Sequence, residues 1–157
     1  MASENNKFLQ RALAPELKLY GFKKSGATWR QRSDEAISVL NLQGSQWAPS
    51  FYINLGVYFR GLGNREQPAA YECHIRARLD ALVSDRARLN SLLDFDVRYE
   101  DPVRALELTS IVVQSAVPWL RRVSSVSGAR AFCASQTPES AWVTPDVRAY
   151  LEAAHGA

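Results

Sequence analysis

Apolar and polar residues alternate most clearly between positions 51 and 59. Every second residue there is large and apolar, and the residues between them are two tyrosines, an asparagine and a glycine. Because successive side chains of a β-strand point to opposite faces, the pattern predicts a strand over 50–59. One face of this strand belongs to the core, and the other is polar without being charged. The core-facing residues are Phe51, Ile53, Leu55, Val57 and Phe59.

Three further strands are predicted at 27–32, 37–43 and about 70–79. In the second of these the apolar residues change phase between Val39 and Leu40, which indicates a bulge or a strand covered on both faces. The 70–79 segment alternates without interruption. Its expected core-facing residues are Tyr71, Cys73, Ile75, Ala77 and Leu79, and its expected outward residues are Glu72, His74, Arg76 and Arg78.

Residues 3–20 carry one apolar stripe at three- and four-residue steps, which predicts an amphipathic helix. Pro15 is expected to split this helix, with its first part ending near Leu13, because proline lacks the amide hydrogen that a helix interior uses. Gly21 is expected to end the segment in a left-handed conformation. The stripe consists of Phe8, Leu9, Leu13, Leu17 and Tyr20.

Two pairs of a capping residue and a proline predict helix starts in the second half. Asp101 is expected to cap a helix over about 102–119, which Pro118 should kink or end, and Thr144 is expected to cap a terminal helix. The expected inward residues are Val103, Leu106, Val113, Val117 and Leu120 in the first helix, and Val147, Tyr150, Leu151 and Ala154 in the second.

Four strands in succession, with helices at both ends, predict an α+β fold. We expect an antiparallel four-stranded meander with helices packed on one face. The segments 80–100 and 124–143 are predicted to be short helical turns and loops. No segment has the composition of a flexible linker, so residues 1–157 are expected to form a single domain.

The composition of the chain bears on its cellular compartment and on the classes of partner that it binds. The chain holds two cysteines without framework spacing, which favours a reducing compartment, and its first residues lead into an amphipathic segment rather than a signal peptide. No apolar run is long enough for a membrane span. We therefore expect a cytoplasmic protein that does not insert into membranes. The net charge is +3 with acidic residues interspersed, so nucleic-acid binding is not indicated.

Catalytic chemistry is sparse in this sequence. His155 lies in the last three residues, where chains usually fray. His74 is therefore the one histidine considered as a catalytic residue. Cys73 and His74 are neighbours on a strand and point to opposite faces, so they cannot form a nucleophile–base pair. Glu72 and His74 share a face, but no further metal ligands have a recognisable spacing. No catalytic residue, metal or cofactor is predicted.

A polar sheet face remains as the candidate binding surface. Amides, phenols, an imidazole and guanidinium groups orient ligands by hydrogen bonds, although a solvated or helix-covered sheet face has the same composition. If the last two strands are neighbours, Asn54 should face His74 or Arg76. The candidate binding residues are Asn41, Gln43, Tyr52, Asn54, His74 and Arg76, and Tyr58 and Arg78 extend the same face.

Four sequence blocks at 21–29, 41–47, 51–57 and 73–79 carry a family resemblance. They include a Gly-Phe-Lys-Lys start, an Asn-Leu-Gln segment, the Phe-Tyr-Ile-Asn-Leu-Gly-Val strand and a Cys-His-Ile-Arg segment. In this order they resemble the bacterial "domain of unknown function 4304" family, over about residues 5–80. The resemblance implies a cytoplasmic bacterial domain of about this size and implies no activity. All six candidate binding residues lie within its blocks.

Two classes of function fit these observations. The first is a non-enzymatic module that binds a small anionic ligand or a protein partner, including an immunity-type protein that neutralises a bacterial toxin. The alternative is a small enzyme that uses His74 as a base, with Arg76 or Arg78 holding an anionic substrate. The enzyme requires His74 in a concave pocket beside a partner, so the location of the pocket distinguishes the two classes. The oligomeric state is left open.

Overall fold

A computed structural model describes residues 3–135 and 140–156, except for the side chains of residues 155 and 156. In these residues six strands form one antiparallel sheet, and their order in the sheet is their order in the chain. The strands are β1 (Lys23–Ser25), β2 (Thr28–Arg32), β3 (Ala36–Gly44), β4 (Phe51–Phe59), β5 (Ile75–Arg78) and β6 (Trp142–Val143). The α+β class is therefore confirmed, whereas the expected four strands are six. The outer strands β1 and β6 were missed because they are too short to show a periodic pattern.

In the described residues, one α-helix precedes the strands, four lie between the fifth and sixth strands, and one follows the sixth. They are α1 (Glu4–Leu19), α2 (Arg86–Leu92), α3 (Asp101–Ile111), α4 (Val117–Val123), α5 (Val126–Ser135) and α6 (Pro145–Gly156). A π-helical segment, Val112–Ala116, joins α3 to α4. None of the helices in the described part of the chain is both long and apolar enough to cross a membrane.

The main core lies between the helices and one face of the sheet. The apolar face of β4 is buried there together with Leu40 and Leu42 of β3. All six helices and the linking π-helical segment supply the opposing side chains, among them Leu13, Leu120 and Leu151. Leu55 and its neighbours on β4 are buried as their alternation predicts.

A second, smaller core lies on the other face of the sheet. Residues 60–73 leave the sheet after β4, run back across its polar face and cover part of it. We call this segment the crossing segment. Beneath it a separate cluster forms from Ile37, Val39, Tyr58 and Cys73. The phase change in β3 is thus explained by coverage on both faces, and its register with β4 is continuous, without a bulge.

The crossing segment also corrects the strand predicted over 70–79. Only Ile75–Arg78 is a strand, and Ala70–Glu72 forms a 3-10 turn. Tyr71 was expected in the core and is 76% exposed, and Cys73 lies on the face opposite Ile75. The chain joins the sheet only at Ile75, so alternation before that residue does not describe the sheet. Cys73 is buried and unpaired, as predicted.

Several helix predictions are corrected. Helix α1 continues through Pro15, because Leu13 and Leu17 on either side of it are both buried in the core. The helix after Asp101 continues past Pro118 to Val123, with the irregular π-helical hydrogen bonding directly before that proline.

The inward face of α3 also differs from the expected one. Val103 and Leu106 are exposed, because Arg104 and Leu108 occupy the buried side of α3. The first helical residue is Asp101 itself, preceded by Glu100 at the capping position without a side-chain cap.

The C-terminal half contains more regular structure than expected. Helix α5 spans ten residues of a segment predicted as turns and loops, and residues 136–139 of that segment lie outside the described residues. Thr144 caps α6 as predicted, since the amide of Val147 donates to its hydroxyl oxygen at 3.3 Å. In α6, Val147 and Leu151 are buried, whereas Ala154 is exposed. The side chain of His155 lies outside the described residues.

Candidate functional site

On the uncovered part of the polar face, a row of side chains crosses four strands. The strand registers place Thr28 opposite Asn41, Asn41 opposite Asn54, and Asn54 opposite Arg78. Gln43 continues the same face one step along β3. Directly opposed residues of neighbouring strands point to the same face, and Gln43 lies two positions after Asn41, so all five side chains share one face.

This row forms the floor of a groove of about 770 Å³. The crossing segment lines one part of the groove at Ala69–Tyr71, and β5 and β6 line another part with Arg76 and Trp142. The volume lies within the range of pockets that hold small molecules. The polar face is therefore concave here, and neither flat nor sealed by a helix. The lining includes Thr28, Asn41, Gln43, Asn54, Tyr71, Arg76, Arg78 and Trp142.

Hydrogen bonds along the floor hold the amides in place. Asn54 donates from Nδ2 to Oδ1 of Asn41 at 3.2 Å and to Oε1 of Gln43 at 2.8 Å. Asn41 donates from Nδ2 to the hydroxyl oxygen of Thr28 at 2.9 Å. The carbonyl oxygen of Asn54 and the amide nitrogen of Gln43 take no part in these bonds. The floor is thus ordered by its own contacts and still presents donors and an acceptor to the groove.

Two guanidinium groups at the groove are stacked on aromatic rings. Arg76 lies 3.5 Å from the ring centre of Trp142, and Arg78 lies 4.2 Å from that of Tyr52. Among the described residues, neither guanidinium has a carboxylate within ion-pair distance. Burial lowers the pKa of Arg76, and its Nε has no hydrogen-bond partner in the described part of the chain. The groove therefore carries positive charge without a described countercharge.

Four of the six predicted binding residues line the groove, and Tyr52 and His74 do not. Asn41, Gln43, Asn54 and Arg76 line the groove. Tyr52 lies outside its lining and supports Arg78 from below. The expected meeting of Asn54 with His74 or Arg76 does not occur as stated, because Asn54 faces Arg78, and Arg76 faces Gly56.

His74 is used elsewhere in the structure. It is buried beside β4, where its Nδ1 accepts a hydrogen bond from the backbone amide of Phe59 at 2.9 Å. Its ring lies 4.6 Å from that of Tyr58. Burial lowers the pKa of His74, and the nearby Asp146 opposes that shift. His74 therefore acts as a neutral cap on a strand amide, outside the groove.

Glu72, which was considered as a metal ligand together with His74, also has a structural role. Glu72 accepts a hydrogen bond from the amide of Ala69 at 2.9 Å and pairs with Arg65 at 3.0 Å. Within the described residues, no three side chains of His, Cys, Asp or Glu come together as metal ligands. Glu72 instead stabilises the crossing segment at the point where it forms the groove wall.

Sequence reasoning missed several residues that line the groove, among them Thr28, Tyr71 and Trp142. Thr28 could have been found, because it extends the face of Asn41 once β2 and β3 are paired. Tyr71 was assigned to the core by an alternation that stops before β5. Trp142 stands in a two-residue strand, for which the sequence gives no periodic signal.

Comparisons with known proteins give one match. No curated protein and no solved structure matches the chain. The family model described as "Domain of unknown function (DUF4304)" matches residues 13–122. This match contains β1 to β5, and so most of the groove, and it extends well beyond the 5–80 region that the four blocks indicated. Since it covers more than half of the sequence, the chain belongs to the DUF4304 family.

Proposed function

We propose that this protein is a non-enzymatic binding module whose groove on the polar sheet face holds a small anionic ligand. We further propose that it works in the bacterial cytoplasm as a single domain. The observation that carries the proposal is the placement of Arg76 and Arg78 at a concave groove without carboxylate partners among the described residues.

The chemistry of the groove favours an anion over a neutral ligand. Each guanidinium offers up to five N–H donors, and stacking on an aromatic ring restricts its orientation. Hydrogen bonds between a guanidinium and an ionised acceptor are roughly twice as strong as neutral ones. The amide of Gln43 adds further donors, so the groove can surround an anion while the carbonyl of Asn54 accepts from a neutral part of the ligand.

A binding role is favoured over the enzyme alternative. That alternative needs His74 beside the substrate with a free nitrogen to accept a proton. Here His74 is outside the groove lining, and its Nδ1 already accepts from Phe59. A protein partner, including a toxin, is less favoured than a small ligand, because the unpaired charges lie inside a concavity.

The test is a titration of the ¹⁵N-labelled protein with phosphate, citrate and phosphorylated sugars, followed by amide chemical shifts. We expect shifts at Asn54 and at Arg76 to Arg78. Arg78→Ala should weaken this binding at least tenfold, whereas Arg98→Ala, at an exposed arginine outside the groove, should leave it unchanged. Equal binding by both variants, or shifts confined to other surfaces, would refute the proposal.

A further inference from the structure

We infer that the ligand of this groove is a nucleotide, with its phosphate held by Arg76 and Arg78 and its base stacked on the exposed aromatic side chains of the groove. This inference rests on the proposed function and narrows it to one class of ligand. Three separate features of the groove carry it: the arginine pair, the aromatic walls and the amide floor.

The arginine pair fits a tetrahedral phosphate. Arg76 and Arg78 are two residues apart on one face of β5, so their Cα atoms lie about 7 Å apart. Each guanidinium is backed by an aromatic ring, and neither donates a hydrogen bond to another described residue. Two guanidinium groups can each donate a pair of hydrogen bonds to different oxygen atoms of one phosphate. A single planar carboxylate offers one edge for a bidentate contact, so a second arginine could reach only the remaining lone pairs.

The walls supply aromatic surface. Tyr71 is 76% exposed and Trp142 is 51% exposed, and both line the groove. Large aromatic side chains left open beside a charged groove serve as stacking surfaces for planar ligands, as in sheets that bind nucleobases. A phosphorylated sugar without a base would use the arginines and leave the exposed surface of these two rings uncovered.

The floor supplies an edge that can pair with a base. After the internal bonds of the row, Gln43 has two amide hydrogens left and Asn54 has its carbonyl oxygen. The hydroxyl of Thr28 accepts from Asn41 and can donate its own hydrogen. Donors beside an acceptor match the mixed pattern on the edge of a nucleobase, whereas a plain aromatic phosphate has no such edge.

Binding can be measured by calorimetry and tryptophan fluorescence with the four ribonucleoside monophosphates as probes. We expect at least one of them to bind with quenching of Trp142. Trp142→Leu should remove this quenching and weaken binding by roughly fivefold or more. Trp47→Leu is the matched control, because Trp47 is 92% exposed and lies outside the groove lining. It should bind as the wild type does.

Two truncated probes separate the parts of the ligand. The nucleoside lacks the phosphate and ribose 5-phosphate lacks the base, and each should bind at least tenfold more weakly than the nucleotide. Arg78→Lys keeps the positive charge but removes the planar pair of N–H donors. This variant should weaken binding of the nucleotide more than binding of the nucleoside. Gln43→Met should change the preference among the four bases. Circular dichroism and the thermal midpoint of each variant confirm that it is folded.

The outcomes distinguish the inference from the proposed function. If ribose 5-phosphate binds in the groove as tightly as the nucleotides, the inference is overturned and the proposed anion site stands. The same holds if nucleotide binding is insensitive to Trp142→Leu. If neither nucleotides nor the simple anions shift the amides of Asn54 and of Arg76 to Arg78, both fail.

Discussion

At the scale of single residues, His74 shows how an apparent catalytic group can have a structural role. Its imidazole accepts a hydrogen bond from a backbone amide at the end of β4, which a protonated ring cannot do. The sequence places a histidine on the outward face of a strand but does not show that the strand starts one residue later. The role of His74 therefore depends on a backbone position that only the folded chain defines.

The capping role makes stability depend on pH. Because burial lowers the pKa of His74 in the folded protein, the unfolded chain binds this proton more readily. The free energy of unfolding should therefore fall as pH drops below about 6.5, the ordinary value for histidine. His74→Asn keeps an acceptor that does not titrate. Urea unfolding at pH 7.5 and 5.0 should show a smaller pH effect in this variant, and an unchanged effect would contradict the assignment.

Gly56 is the residue that admits the crossing segment. A Cβ atom there would lie 2.6 Å from Sγ of Cys73 and 3.4 Å from the carbonyl oxygen of Ala70. Gly56→Ala should therefore destabilise the protein by about 1–3 kcal/mol, the usual cost of overpacking. Gly44→Ala is the matched control in the neighbouring strand, where the nearest atom of Phe51 is 3.4 Å away. Similar unfolding free energies for the two variants would argue against close contact at Gly56.

At the scale of elements, α3 shows where sequence periodicity is misleading. Its buried side carries Arg104, whose guanidinium donates to the carbonyl oxygens of Leu92, Asp94 and Val97 at 2.5, 3.3 and 2.6 Å. An arginine satisfied by backbone carbonyls resembles a surface residue in the sequence. The pattern therefore assigned the inward positions to exposed apolar residues of the same helix.

Replacing Arg104 should be costly. Arg104→Met removes three hydrogen bonds to backbone carbonyls, so we expect a loss of about 2–4 kcal/mol in the free energy of unfolding. Arg98→Met changes an exposed arginine nearby and should cost less than about 0.5 kcal/mol. Chemical denaturation of both variants measures the difference. A small effect of Arg104→Met would show that these carbonyls find water instead.

Strand β4 represents the opposite case, in which local pattern and folded structure agree. Leu55 lies in the main core, and truncation to alanine should cost about 2–5 kcal/mol. Leu106→Ala is a matched control on α3, where the side chain is 73% exposed. It should change the unfolding free energy by less than about 0.5 kcal/mol. Comparable losses in the two variants would overturn the assignment of the two faces.

At the scale of the whole molecule, the sheet separates a large core under the helices from a small core and a groove on its polar face. The alternation along the predicted strands indicated the polar face, and five of the residues assigned to that face line the groove: Asn41, Gln43, Asn54, Arg76 and Arg78. The crossing segment could not be predicted, because its position depends on a glycine in one strand meeting a cysteine far along the chain. Without that segment the polar face would be an open surface, so the sequence could indicate the binding residues but not the concavity.

The crossing segment also links the small core on the polar face to the groove. It buries the thiol of Cys73, whose pKa burial raises to about 12, and two residues earlier it presents Tyr71 to the groove. Chemical labelling of this thiol requires the segment to lift away from the sheet. A ligand that bridges Tyr71 and the floor should therefore slow the labelling of Cys73 in proportion to its occupancy, and the half-buried Cys133 offers a reference rate within the same chain. The cysteine is in effect a kinetic reporter of whether the groove is occupied.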